Sequence, residues 1–259
     1  MGGSKDLTLF DCNCMVGRWS TFQPGSFYSV EGLLEEMNYC GINEALVFHS
    51  LARSYSPAVG NEKLLEEIRG KHQLQGCWVL LPHHTGEMPE PETIVETMLS
   101  KGVKAARLFP KEHRYSLSEW ILGELLTVLE ERQIPLLLDF GNVHWSDSFT
   151  DWNAVAELCS KHPKLPVILM HEGQAASRNL YPLLERFENL HLDTSYYFAH
   201  RGVEEICEKF GAKHLTFGSG MPIYSAGPPI MVVTYSSISQ REKRLIAGEN
   251  LRKLLGGIR

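Results

Sequence analysis

Eight times along 259 residues, this chain passes from a short apolar run to a longer stretch with apolar residues at helical spacing. The runs at 9–17, 45–49, 76–81, 103–109, 134–139, 166–170, 190–194 and 214–218 read as strands. The stretches at 29–40, 61–71, 91–101, 118–131, 151–161, 177–187, 201–210 and 239–255 read as helices. Local signals support them. Ser29 caps the first helix and Gly41 stops it, Pro91 opens the third, and Ser118 caps the fourth. Pro182 ends or bends the first turn of the sixth. Such an alternation, with no series of strands alone, is what parallel strand–helix units require. Eight of them close into a (β/α)8 TIM barrel, a single domain over residues 1–259. A doubly wound open sheet is the runner-up. It needs fewer strands and usually a Gly-rich first turn, and Gly17 stands alone. The least regular stretch is 221–231, with Pro222, Gly227, Pro228 and Pro229, expected as a loop over the barrel mouth.

Composition narrows the partners. A formal charge of −6, from 25 basic and 31 acidic residues, argues against nucleic acid and anionic membrane. No run reaches signal-peptide or transmembrane length, so the expected location is cytoplasmic. The six cysteines form no Cys-x-x-Cys pair and are expected as reduced, buried thiols, without structural zinc. The expected partner is a small molecule, with a homo-oligomer left open.

In a barrel, functional groups sit at the C-terminal ends of strands and in the loops that follow. Those ends carry Asp11 and Asn13, His49, His83 and His84, Arg107, Asp139 and His144, His171 and Glu172, Asp193, Ser195 and Tyr196, and Ser219. In the first strand, period-two alternation puts Asp11, Asn13 and Met15 on one face and turns Cys12 and Cys14 toward the helices. Asp139 ends an apolar strand, where a charge is costly unless paired, so His171 or Arg107 is its expected partner. Arg107 can clamp a substrate carboxylate, or neutralise Asp11 and Asp139. His84, His144, Trp145 and Tyr196 can wall a pocket, or pack in loops. His49 is expected in the core. Glu172 can act as a base beside His171, although neighbours on a strand point apart.

Several strands also resemble a known family. The first reads Asp11-Cys12-Asn13-Cys14-Met15-Val16-Gly17, where amidohydrolase-related barrels have Asp-x-His-x-His-x-Gly. The runs ending Asp139-Phe140-Gly141 and His171-Glu172-Gly173, the stretch from Asn189 to Asp193-Thr194-Ser195, and Phe217-Gly218-Ser219-Gly220-Met221-Pro222 are similar to its fifth to eighth strands. The family includes metal-dependent hydrolases and non-oxidative decarboxylases. Its metal ligands fall at Asn13, Met15, Asp139 and Gly220 here, and only His171 is kept. The resemblance therefore implies a remodelled site with no zinc expected. A hard divalent cation at Asp11, Asp139 and His171 is the weaker alternative.

Two functions follow as expectations. One is a hydrolase, or a decarboxylase, on a small carboxylated or cyclic substrate. Arg107 would hold the anion, with Asn13, His84, His144 and Tyr196 as further substrate contacts. Asp139 and His171 would be the base–acid pair, since a buried carboxylate beside an imidazole can be tuned toward neutrality. Asp11, Asp193 and Ser219 would support them. Some relatives in this family open lactones without a metal. The other function is a silent barrel that binds a small ligand or a partner protein, favoured by the absent water-activating group.

Overall fold

A computed structural model describes residues 7–19, 24–141 and 150–259. The chain runs β1 (Leu9–Val16), α1 (Val30–Cys40), β2 (Ile42–His49), α2 (Ser50–Ser54), α3 (Pro57–Glu67) and β3 (Leu74–Val79). It continues through α4 (Pro91–Ser100), β4 (Ala105–Leu108), α5 (Glu119–Arg132), β5 (Leu136–Asp139), α6 (Trp152–Lys161) and β6 (Val167–Met170). Then come α7 (Ser177–Arg186), β7 (Leu190–Asp193), α8 (Gly202–Lys209), β8 (Leu215–Thr216), α9 (Gly227–Tyr235), α10 (Gln240–Arg244) and α11 (Asn250–Gly256).

All eight strands are parallel and pair in chain order. Three backbone hydrogen bonds bring the last strand back to the first. Cys12 N donates to Phe217 O and Met15 N to Met221 O, both at 2.9 Å, and Gly220 N donates to Asn13 O at 3.0 Å. The result is a (β/α)8 barrel. Alternate strand residues fill its interior, among them Leu46, Phe48, Cys77, Val79, Leu137 and Ile168. Their neighbours Val47, Trp78, Leu136, Leu138 and Leu169 pack outward against the helices. Burial on both faces is why these runs are almost continuously apolar.

Sequence signals account for several helix ends, but Ser118, at the start of α5, makes no side-chain cap bond and its Oγ pairs with Ser116 Oγ instead. Ser29 Oγ accepts from Gly32 N at 3.1 Å, and Gly41, at φ 73°, ends α1. Pro91 occupies the first turn of α4. Pro182 lies inside α7 without ending it.

Some expectations need correction. The register of β1 shifts between Asp11 and Cys14, a bulge that resets the alternation. Cys12 therefore packs in the barrel interior with Phe10, while Cys14 and Met15 keep the outward and inward faces read for them. The helix expected from 61 starts at Pro57, because Ser56 Oγ caps it through Val59 N. A short helix, α2, follows β2 directly, with His49 Nδ1 accepting from Leu51 N at 3.1 Å. The expected loop 221–231 becomes helical at Gly227. The expected helix 239–255 is three pieces, since Gly248 leaves helical backbone and a π turn spans Leu245–Glu249.

No helix among the described residues is long and apolar enough to cross a membrane. All six cysteines are free, and only Cys40 is not buried.

Candidate active site

The ends of β1, β4, β5, β6 and β7 deliver Asn13, Arg107, Asp139, His171 and Asp193 to one hydrogen-bonded cluster. Asp139 is fully buried. Its Oδ2 accepts from Arg107 Nη2 at 2.5 Å and lies 3.2 Å from His171 Nδ1, and its Oδ1 accepts from Gly141 N at 2.8 Å. Burial opposes its ionisation, yet His171 and the Arg107 guanidinium beside it hold the carboxyl well below the usual range. Asp139 therefore stays ionised and is not tuned toward neutrality as the sequence suggested.

Arg107 spends both terminal nitrogens internally. Nη1 donates to Asn13 Oδ1 at 3.0 Å, Nη2 serves Asp139, and the guanidinium lies 4.3 Å from the Phe48 ring centre. Of the two roles read for it, neutralising Asp139 accounts for its contacts, and none joins it to Asp11 among the described residues.

The Arg107 bond also fixes the orientation of Asn13. A guanidinium only donates, so the amide oxygen faces Arg107 and Nδ2 faces His171. Asn13 Nδ2 lies 2.9 Å from His171 Nε2, 2.9 Å from Asp193 Oδ2 and 3.1 Å from Ser195 Oγ. His171 Nε2 is then an acceptor, and the ring proton sits on Nδ1, directed at Asp139. His171 itself adopts φ 56°, a left-handed backbone that costs a non-glycine residue roughly 1 kcal/mol or more. Strain of this kind persists where packing overrides it, and here it turns the imidazole into the cluster.

Below Asn13, Asp11 Oδ1 accepts from Asn13 N and Ser219 N, each at 2.9 Å. Burial raises the Asp11 carboxyl despite bonds from Ser219 and Asn13. It pins the seam between β1 and the segment after β8, and no contact joins it to Asp139 or His171 among the described residues. The cation set of Asp11, Asp139 and His171 is thus not assembled. Asp193 accepts from Ser195 N at 2.8 Å and from Ser195 Oγ, and Ser219 Oγ accepts from Met221 N at 3.1 Å.

The other expected residues fall elsewhere. His84 stacks on His83 with ring centres 4.0 Å apart, and no contact ties it to Asp139 among the described residues. His83 Nε2 lies 3.2 Å from Glu90 Oε2 and 3.4 Å from Glu124 Oε2, a group whose ligand atoms all lie within 4.8 Å of one another. His49 is buried as read, but caps α2 and faces Glu67 at 3.5 Å. Glu172 is buried and accepts from Thr150 Oγ1. Tyr196 packs on Tyr224, ring centres 5.4 Å apart. His144 and Trp145 lie outside the described residues.

Two residues that the strand-end reading passed over stand beside this cluster. The Tyr224 ring lies 5.8 Å from that of His171, and its buried hydroxyl has no partner among the described residues. Arg53, on α2, is 6% exposed. Its position four residues past the end of β2 was the only signal for it. Tyr224 had only its place in the loop after the eighth strand.

Residues 75–257 match the family model described as Amidohydrolase. No curated protein sequence matches the chain. Solved structures do. One is 5-carboxyvanillate decarboxylase from Sphingomonas paucimobilis, with TM-score 0.75 and 12% identity over 98% of this chain and 100% of that one. Another is a dihydroxybenzoic acid decarboxylase from Polaromonas with bound manganese and 2-nitroresorcinol, with TM-score 0.72 and 15% identity over 96% and 97%. A third is a probable 2-pyrone-4,6-dicarboxylic acid hydrolase from Acinetobacter baumannii with citric acid bound, with TM-score 0.67 and 14% identity over 96% and 100%. At these identities the likeness to the solved structures is one of fold.

Proposed function

The chain belongs to the amidohydrolase family, and from that premise we propose that it is a metal-free hydrolase of a small carboxylated or cyclic substrate. The observation that carries this reading is the pair formed by ionised Asp139 and His171, 3.2 Å apart at the ends of adjacent strands. Asp139 holds the Nδ1 proton and orients the ring. Nε2 is the atom that takes a proton from attacking water and returns it to the leaving oxygen. To uncover Nε2, the Asn13 amide shifts toward its other acceptors, Asp193 and Ser195. The solved structures are named as 5-carboxyvanillate and dihydroxybenzoic acid decarboxylases and a probable 2-pyrone-4,6-dicarboxylic acid hydrolase, names that all denote carboxylated rings and support the substrate class.

A divalent ion like that of the Polaromonas protein does not fit the residues of this cluster. The Arg107 guanidinium already stands on Asp139, and the Asn13 amide N–H faces His171 Nε2, where a metal would need a free lone pair. Asp11 Oδ2 has no partner among the described residues, but burial raises its carboxyl, which weakens it as a cation ligand.

One observation favours a second reading, a ligand-binding barrel without chemistry: every polar atom of the His171 ring is already satisfied internally. The test is turnover of a panel of lactones, esters and aromatic acids. Asp139→Asn should lower turnover by about 10²–10⁴-fold while the circular dichroism spectrum stays native. A wild-type chain that binds members of the panel and converts none supports the silent barrel instead.

A further inference from the structure

The second arginine of the mouth is built differently from the first. Arg53 is 6% exposed and is held from two places on the loop after β4. His113 Nε2 donates to its backbone oxygen at 2.8 Å, and Glu112 Oε1 accepts from its Nη2. Its guanidinium carbon lies 4.5 Å from the Trp19 ring centre and 5.0 Å from that of Phe109. Arg107 lies 5.0 Å from the same Phe109 ring, so the two guanidinium groups border one ring.

An arginine offers five N–H donors. Arg107 uses both terminal nitrogens on Asn13 and Asp139, whereas Arg53 commits Nη2 alone. Its Nε, like that of Arg107, is buried without a partner among the described residues, and so is Glu112 Oε2. A fully buried structural ion pair would normally close both forks, because leaving donors unpaired in the interior is costly. Here main chain, carboxylate and rings fix the guanidinium while part of its donor set stays unspent. Gly141 adds a further link. A Cβ there would stand 2.5 Å from Glu112 Oε1, and the same residue's N–H binds Asp139. The Arg53 clamp and the Asp139 pair therefore share one wall.

We propose that Arg53 is the carboxylate-binding subsite of the barrel mouth, taking the carboxylate of a small planar acid on its free donors beside Trp19 and Phe109. A flat guanidinium bordered by two rings suits a flat carboxylate on a flat body better than a tetrahedral anion. Supporting this placement, burial pushes Tyr224 up to about 12 and Arg53 is among the charges opposing that rise, so its field reaches the residue beside His171. The proposal deepens the reading of a small carboxylated substrate and rests on it. Arg53 moves the anion-holding role away from Arg107.

The test is isothermal titration of the full chain with benzoate and furoate against their neutral counterparts, benzamide and furamide. The wild type should prefer at least one acid over its amide by about tenfold or more. Arg53→Met, which keeps an unbranched side chain between the rings, should erase that preference and leave amide binding unchanged. Arg53→Met strands Glu112, so Arg53→Met with Glu112→Gln is the companion variant, each checked by circular dichroism. An acid preference that survives in the folded variants overturns the proposal, as does a wild type that binds acid and amide equally. The outcome is separable from the catalytic reading. If Asp139→Asn retains turnover while Arg53→Met loses the acid preference, the acid–base assignment falls and the subsite stands. If Asp139→Asn abolishes turnover while Arg53→Met still prefers the acid, the reverse holds.

Discussion

Removing the Arg107 guanidinium would leave Asp139 as a buried carboxylate facing an imidazole and one backbone N–H. Arg107→Met should therefore lose about 3–5 kcal/mol in urea unfolding. Removing both charges with Arg107→Met and Asp139→Leu should cost less than the single change, and a cycle showing no coupling would refute the pairing. The sign of the pH effect follows. The folded Asp139 carboxyl lies below its unfolded value, so its stabilisation is present above the ordinary carboxylate range and is lost as pH falls through the folded value. In Arg107→Met, acid unfolding should begin at higher pH. Asp139 and His171 were legible in the sequence because each ends an apolar run. Their division of labour was not, because it depends on which side chains Arg107 reaches across the barrel. Arg53 was missed because its partners, Glu112 and Trp19, lie 59 residues further on and in the segment after β1 respectively.

Elements with their own local signals were read well. Ser29, Gly41 and Pro91 act where their chemistry says they should. What escaped was set by closure of the barrel. The β1 bulge, α2 and the π turn at Leu245–Glu249 answer to contacts with distant strands, which no local period records. Strand β7 offers a test at this scale. His191, on that strand, bonds through Nδ1 to Lys213 O at 3.0 Å, and burial pushes it down to about 4 from 6.5. Between those values the unfolded chain binds the proton and the folded chain does not, so stability rises with pH across the window and falls on acidification. His191→Gln should flatten that slope, read as urea midpoints inside and above the window. An unchanged slope would mean that His191 is already protonated when folded.

Across the whole molecule, the eightfold alternation fixed the architecture because only a closed ring leaves eight doubly buried parallel strands without an edge. The ring is not uniform. β8 is two residues long, and the return to β1 rests on bonds from Cys12, Met15 and Gly220. Asn13 takes part in both things at once. Its carbonyl receives the Gly220 N–H, and its side chain covers His171 Nε2. The barrel thus works as a bracelet whose clasp is also its keyhole. Whatever settles against His171 must do so with the clasp fastened, so occupancy should hold the ring shut. Deuterium uptake at the Met15 and Gly220 amides should then slow when benzoate is bound, while the amides of the outer helix α5 keep their rates. Equal rates with and without benzoate would mean that clasp and keyhole move independently. If they move together, the last joint of the fold to close is also the first to feel what the protein binds.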